Sequence, residues 1–323
     1  MKKSLITLAV LAASGAAMAQ SSVTVYGRID LSVGSLKELD KGSQTKLFDG
    51  NLTSTRLGFR GSEDLGGGLK ANFKIEHRFD ADIGASEDPF WKGESTVSLA
   101  GGFGELKLGR SSTIYDEVRG VAMSSNVFDS AFTPAANGVW GSGGDYSSRF
   151  NNKLTYQLPN LGGVYGGLEY ALDEDAAVKA DMLGAKIGYK AGPLDVVLGL
   201  QKEKGKENDY VLIAAAYDLG AVSLSGGYNT RRGNDATGDD NELTVGLNVP
   251  LGNVNLSFGY ATSKTEVGGS TTSKSSGFGL GATYAMSKRT KAYAGFRSHN
   301  VKDGGGTKTV DTRLFAIGLR HDF

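Results

Sequence analysis

Cysteine is absent from the 323 residues, so a disulfide frame, a thiolate metal site and thiol chemistry are all closed to this chain. Histidine is limited to His77, His299 and His321, which leaves little from which to build imidazole catalysis. No apolar run approaches the roughly 20 residues that a spanning helix needs. Net charge is also missing, since 35 bases balance 35 acids, and with it the basic surplus that marks a nucleic-acid partner. Proline is scarce at 5 residues while glycine is abundant at 48. That ratio is unlike a disordered Pro/Gly-rich chain and suits a backbone that turns tightly and packs closely.

The N-terminal stretch MKKSLITLAVLAASGAAMAQ has a basic start at Lys2 and Lys3, an apolar run from Leu5 to Ala13 and small residues at Ala17-Met18-Ala19. That order reads as a secretory signal peptide over residues 1–19, cut before Gln20. The remainder, 20–323, contains no Ser- or Pro-rich linker and reads as one domain. Without Lys2 and Lys3 it holds 33 bases and 35 acids, close to neutral.

From Val23 onward, apolar and polar residues alternate. In VTVYGRIDLSV, Val23, Val25, Ile29, Leu31 and Val33 share one face, and Thr24, Tyr26, Arg28, Asp30 and Ser32 share the other, which is the period of a strand. Such runs recur about sixteen times, the last from Arg313 to Phe323. Short turns such as SEDLGGG, PNLGG and PLGN alternate with longer polar connections, among them Ser35 to Thr53, Thr230 to Asn241 and Ala261 to Ser275. An even strand count with short turns at one end and long loops at the other is the arrangement of outer-membrane barrels. Apolar residues confined to one face of each strand can meet lipid only if the sheet closes on itself, because open edges leave backbone groups unpaired. Tyr156, Tyr170, Tyr189, Tyr217, Tyr260, Tyr284 and Phe323 gather near run ends, as an interfacial aromatic girdle would. The predicted fold is all-β, a sixteen-stranded antiparallel transmembrane barrel.

One interval breaks the rule. Between Ser111 and Ser147 the alternation stops for about 37 residues, and a connection of that length in a compact domain calls for a function. It carries Asp116, Glu117, Asp129 and Asp145 against a single base, Arg119. The expectation is that this loop, about 111–147, folds inside the barrel and sets what passes.

Several stretches carry a family resemblance: TVYGRIDLSVG, STRLGFRGSEDLGGGLKANFKIE, the LGR before the long loop, RFNNKLTYQLPNLGGVYGGLEY after it, and the terminal GLRHDF. Together they resemble the general-diffusion porins of Gram-negative outer membranes, in particular the neisserial and β-proteobacterial branch, over essentially the whole of 20–323. The resemblance implies a homotrimeric sixteen-stranded channel whose third external loop folds inward as a constriction, and a terminal Phe323 that serves as an assembly signal.

With apolar residues toward lipid, the opposite parity lines the lumen. On the first six strands this places Arg28, Arg56, Arg60, Lys70, Lys74, Arg78, Lys107, Arg149 and Lys153 inside, against Asp30, Glu76, Glu94 and Glu105. Arg56, Arg60, Arg78 and Arg149 are expected at the narrowest part, since guanidinium stays charged. Arg28, Lys70, Lys74, Lys107 and Lys153 are expected further along the lumen. A basic wall facing an acidic loop creates a transverse field, and charged clusters of this kind set ion preference. The balance tilts toward anions. The implied partners are outer-membrane lipid and lipopolysaccharide, further copies of the chain, and small hydrophilic solutes and ions.

Other readings are weaker. A substrate-specific channel would show a continuous aromatic track, and an adhesive or structural barrel would have enlarged loops or a plugged lumen. The glycine-rich turns lack the GK[ST] ending of a phosphate loop. Asp239-Asp240 and Asp173-Glu174-Asp175 read as solvated loop tips rather than divalent-ion sites. Neither an enzyme activity, a cofactor nor a metal is called for. The leader reading has a direct check: mass spectrometry of the outer-membrane form should find a chain beginning at Gln20, and a chain retaining Lys2 and Lys3 would overturn it.

Overall fold

A computed structural model of the chain describes residues 22–124, 129–135, 146–174, 181–234 and 238–323. The expected signal peptide therefore lies outside the described residues, as does Asp145. In chain order the elements are β1 (Ser22–Lys37), β2 (Gln44–Asp49), β3 (Arg56–Gly66), β4 (Leu69–Asp80), β5 (Ala85–Ser86), β6 (Glu94–Gly101), β7 (Gly104–Ser112), α1 (Ile114–Ala122), β8 (Arg149–Gln157) and β9 (Val164–Ala171). Then follow β10 (Met182–Ala191), β11 (Leu194–Glu203), β12 (Asn208–Asp218), β13 (Ser223–Arg232), β14 (Asp239–Leu251), β15 (Val254–Val267), β16 (Ser270–Ala285), β17 (Thr290–Asp303) and β18 (Lys308–Asp322).

Sixteen of these strands form the wall of a closed antiparallel barrel, each paired with its neighbour in sequence. The seam closes where β1 pairs with β18, Arg28 opposite Asp322 through Lys37 opposite Arg313. Gly27 and Phe323 finish it by exchanging two backbone hydrogen bonds of 3.0 Å. The short β2 and β5 are additions: β2 folds back along the far half of β1, Leu36 opposite Gln44, and β5 pairs with the end of β4.

The distribution of side chains is inverted relative to a water-soluble core. Leu183, Ile187, Ile213 and Ile317 are more than half exposed on the outer parity, while Glu76, Glu169, Thr155, Asn229 and Glu242 are buried on the inner one. Such a continuous apolar exterior is the surface of a protein solvated by hydrocarbon. Tyr170, Tyr189, Tyr217, Tyr260, Tyr284 and Phe323 are among the exposed outer aromatics.

Several expected loops are strand. The stretch Ala261 to Ser275 is the paired continuation of β15 and β16, with Val267 opposite Ser270. Both ends of Thr230 to Asn241 are likewise taken up by β13 and β14, with Thr230 opposite Asn241. Alternation vanishes there because beyond the lipid both strand faces meet polar surroundings, yet the hydrogen-bond ladder continues. Asp239-Asp240 is therefore no loop tip: Asp240 is buried and pairs with Arg231 at 2.6 Å.

The long interval after β7 contains α1, which the strand-period reading passes over. Its signal is local: Thr113 caps it by accepting a hydrogen bond from the Asp116 backbone N–H at 3.1 Å, and Ile114, Tyr115, Val118 and Ala122 form its buried face. That face rests on the inner surface of β10 to β13. Tyr115 packs at an angle against Tyr210 and edge-on against Tyr146, ring centroids 6.0 and 4.8 Å away, and its hydroxyl donates to Asn229. Val118 occupies space that exists because residue 199 is glycine, where an added Cβ would lie 2.9 Å from it. Further on, Phe132 sits over Gly279 and Gly295, where added Cβ atoms would come within 1.9 and 2.4 Å of it.

Two buried polar groups fix this arrangement. Lys153 donates to Glu169 at 2.7 Å and to the Ser112 carbonyl at 2.5 Å, while Glu169 accepts from the Ile114 backbone N–H at 2.9 Å. Asp30 accepts from the backbone N–H groups of Leu52 and Thr53 at 2.9 and 2.6 Å and from the Tyr293 hydroxyl at 2.5 Å. The neighbouring Asn51 carbonyl takes the Ala131 N–H at 2.9 Å. The long interval is thus held from both sides of the barrel. Replacing Lys153 alone by Met should cost about 3–5 kcal/mol by stranding a buried carboxylate, whereas Lys153→Met with Glu169→Leu should regain most of it. Thermal unfolding followed by the gel shift of the folded barrel would measure both, and additive losses would refute the pairing.

Candidate functional site

Register brings three arginines into one row across the wall: Arg28 stands opposite Arg56 and Arg56 opposite Arg78. Strand alternation turns all three to the inner face. A single carboxylate holds two of them. Glu76 Oε1 accepts from Arg78 at 2.8 Å and meets Arg56 at 3.4 Å, while Oε2 accepts the Tyr26 hydroxyl at 3.0 Å. Arg28 turns instead to Asp322 at 3.1 Å. Arg149 joins from β8, its Nε donating to the Gly93 carbonyl at 3.0 Å. The Arg56 charge lies within reach of those of Arg78, Arg28 and Arg149, so the guanidinium groups form one electrostatic cluster with more cations than acids.

Arg60 stands four residues from Arg56 on β3, about 13 Å along the strand, toward the short-turn end. It lies over the Tyr26 ring, 5.2 Å from the centroid. Register places it opposite Lys74, which pairs with Glu94 at 2.6 Å; Lys107 is 3.9 Å from the same carboxylate. Lys70 is exposed near the start of β4. Lys153 points inward, but its ammonium is wholly covered under the long interval by Glu169. It therefore supports the wall instead of presenting a charge to the lumen. Asp30, expected among the lumen acids, likewise faces no open lumen and is buried as the anchor of the Leu52–Thr53 turn.

The acids of the long interval are matched locally. Asp116 accepts from Arg119 at 3.2 Å and from the Tyr146 hydroxyl at 2.9 Å, and Asp129 meets Arg119 at 3.6 Å. Burial works against the Arg119 charge, but Tyr146, Asp116 and Asp129 outweigh it and hold its pKa above the ordinary guanidinium value. Glu117 pairs with Lys186 on β10 and accepts from Gln157 at 3.4 Å. Lys186 was not among the residues singled out from sequence, although it falls on the inner parity of LGAKIGYK and the same count extended past the sixth strand would have found it. Tyr26, the floor beneath the arginine row, is uncharged and so gives no signal in a count of inner-face bases. With Asp116, Glu117 and Asp129 each taken up by a nearby base, the arginine cluster keeps its surplus of cations over acids.

Comparison with known proteins agrees with this geometry. Over the full length of both chains the sequence is 36% identical to outer membrane porin protein 32 of Delftia acidovorans and 26% identical to the major outer membrane protein P.IB of Neisseria meningitidis serogroup B. The solved anion-selective porin from Comamonas acidovorans superposes with a TM-score of 0.80 at 28% identity, over 94% of this chain and 100% of that one. The trimer form of OmpT from Vibrio cholerae shares the fold, with a TM-score of 0.73 at 16% identity over 94% and 99% of the two chains. Residues 6–304 match the Gram-negative porin family, and with the closed sixteen-stranded wall this identifies the chain as a member of that family, a multi-pass β-barrel protein of the outer membrane.

Proposed function

We propose that the chain forms a water-filled channel for passive diffusion of small hydrophilic solutes and ions, that it prefers anions, and that the interval carrying α1 narrows its lumen. The observation that carries the reading is the row of Arg28, Arg56 and Arg78, joined by Arg149, in which Arg56 and Arg78 share the one carboxylate of Glu76. A narrow, partly dehydrated passage beside such a cluster lowers the energy of an anion and raises that of a cation. The pairing of Asp116, Glu117 and Asp129 with Arg119 and Lys186 supports the sign, because it withdraws acids that would otherwise balance the wall. The anion-selective porin from Comamonas acidovorans, to which the chain is similar, agrees with it. By the same likenesses the native assembly is a homotrimer whose apolar exterior meets lipid and lipopolysaccharide, and the role is that of a channel and not an enzyme.

The test is reversal potential in a planar bilayer under a KCl gradient. A unit charge about 4 Å from a passing ion in water-like surroundings is worth about 1 kcal/mol, roughly fivefold in population. Arg56→Ala with Arg149→Ala should therefore lower the anion-to-cation permeability ratio at least that far while leaving conduction intact. Selectivity indifferent to both changes would move the filter elsewhere, and folded protein that passes no current would overturn the channel.

A further inference from the structure

Below the arginine row, toward the short-turn end, the inner wall opens into a cavity of about 340 Å³ that the selectivity argument does not use. Its charged lining is Arg60, Lys74 and Lys107 against Glu94 and Glu105. Tyr26 separates it from the row above, with its hydroxyl on Glu76 and its ring under Arg60.

The hydrogen-bonding capacity of these groups is unequally used. Glu94 is committed, accepting from Lys74 at 2.6 Å and from the Thr96 hydroxyl at 3.0 Å. Lys107, at 3.9 Å, is too far from it for a hydrogen bond. Arg60 has no carboxylate within ion-pair distance among the described residues, and its guanidinium plane is steadied by the tyrosine ring. Asn72 donates to Ser98 at 3.3 Å and Ser98 to Glu105 at 2.5 Å, which orders an amide and a hydroxyl along the same wall. The cavity thus offers two cations with spare donors beside an ordered amide and hydroxyl, while its two carboxylates are engaged, Glu94 by Lys74 and Glu105 by Ser98, and its three bases exceed its two acids by one.

We propose that this cavity is a low-affinity binding subsite for small polyhydroxylated anions, sugars that carry one carboxylate or one phosphate. The anionic group is met by Lys107 and Arg60, and the sugar hydroxyls exchange hydrogen bonds with Thr96, Ser98 and Asn72. A simple carboxylate uses only the charges and a neutral sugar only the polar wall, so each binds less well than a solute combining both. The volume lies at the small end of ligand pockets, about 300–1,000 Å³, which suits a monosaccharide over an oligosaccharide. The proposal rests on the channel reading for access from the lumen, but occupancy is measurable without current.

Ligand-detected saturation-transfer NMR on the folded, detergent-solubilised protein would compare gluconate, glucose 6-phosphate, glucose and propionate, with current block by the same solutes measured in KCl. The expected result is millimolar binding of gluconate or glucose 6-phosphate, with glucose and propionate each about tenfold weaker or more; which of the two binds tighter separates carboxylate from phosphate. Lys107→Gln should weaken it about fivefold or more, as loss of a charge-assisted contact requires, and Arg60→Gln should do the same if the first variant folds poorly. Gluconate and glucose 6-phosphate binding no better than propionate, or unaffected by both substitutions, would overturn the subsite. Conduction of KCl without such binding leaves the channel and removes the subsite, whereas binding without conduction does the reverse.

Discussion

Closure of the backbone ladder is the constraint on which everything else depends. In hydrocarbon an unpaired N–H or C=O costs several kcal/mol, so β1 must find both β3 and β18, and the last residue must bond back to Gly27. Once the ring is closed, strand alternation assigns every side chain to lipid or to the interior. Leu, Ile and Val go outward without cost, and charged residues acquire a shared enclosure in which they must be reconciled with one another.

The interior is reconciled in two ways. Where the long interval lies against the wall, small residues and buried polar pairs make room and register: Gly199 under Val118, Gly295 under Phe132, and Lys153 with Glu169 beneath the start of α1. Asp30, seemingly a lumen acid, instead fixes the turn whose Asn51 carbonyl holds Ala131. Where the wall is left open, on β3, β4 and β7, Arg56 and Arg78 share Glu76, and Lys74 and Lys107 share Glu94. A buried pair is an anchor and a half-exposed excess is a field. The distinction depends on coverage, not on residue type.

The legible part of this protein was its periodicity. A two-residue period with apolar parity in strands such as VTVYGRIDLSV, interrupted once at Ser111 to Ser147, determined the barrel, its sixteen strands and the inward parity of Arg28, Arg56, Arg60 and Arg78, because alternation is a property of the local backbone. The polar ends of β15 and β16 were illegible as strand for the same reason, since beyond lipid neither face has to be apolar. So was α1, whose nine residues carry a helical signal too short to stand out against the strand period.

What tertiary structure alone decided is which charges face which. Lys153 and Arg149 are sequence neighbours of the same sign and parity, yet one is covered by Glu169 and the other remains with the arginine cluster. Glu117 finds Lys186 across 69 residues of chain, and Arg56 meets Arg78 only through the register of β3 on β4. Electrostatic energy depends on distance and burial in space, neither of which is written into a local period. The sequence by itself therefore determined the container and the parity of its lining, and only the folded wall and the helix packed against it decided which of those charges are spent holding the protein together and which are left to face a solute.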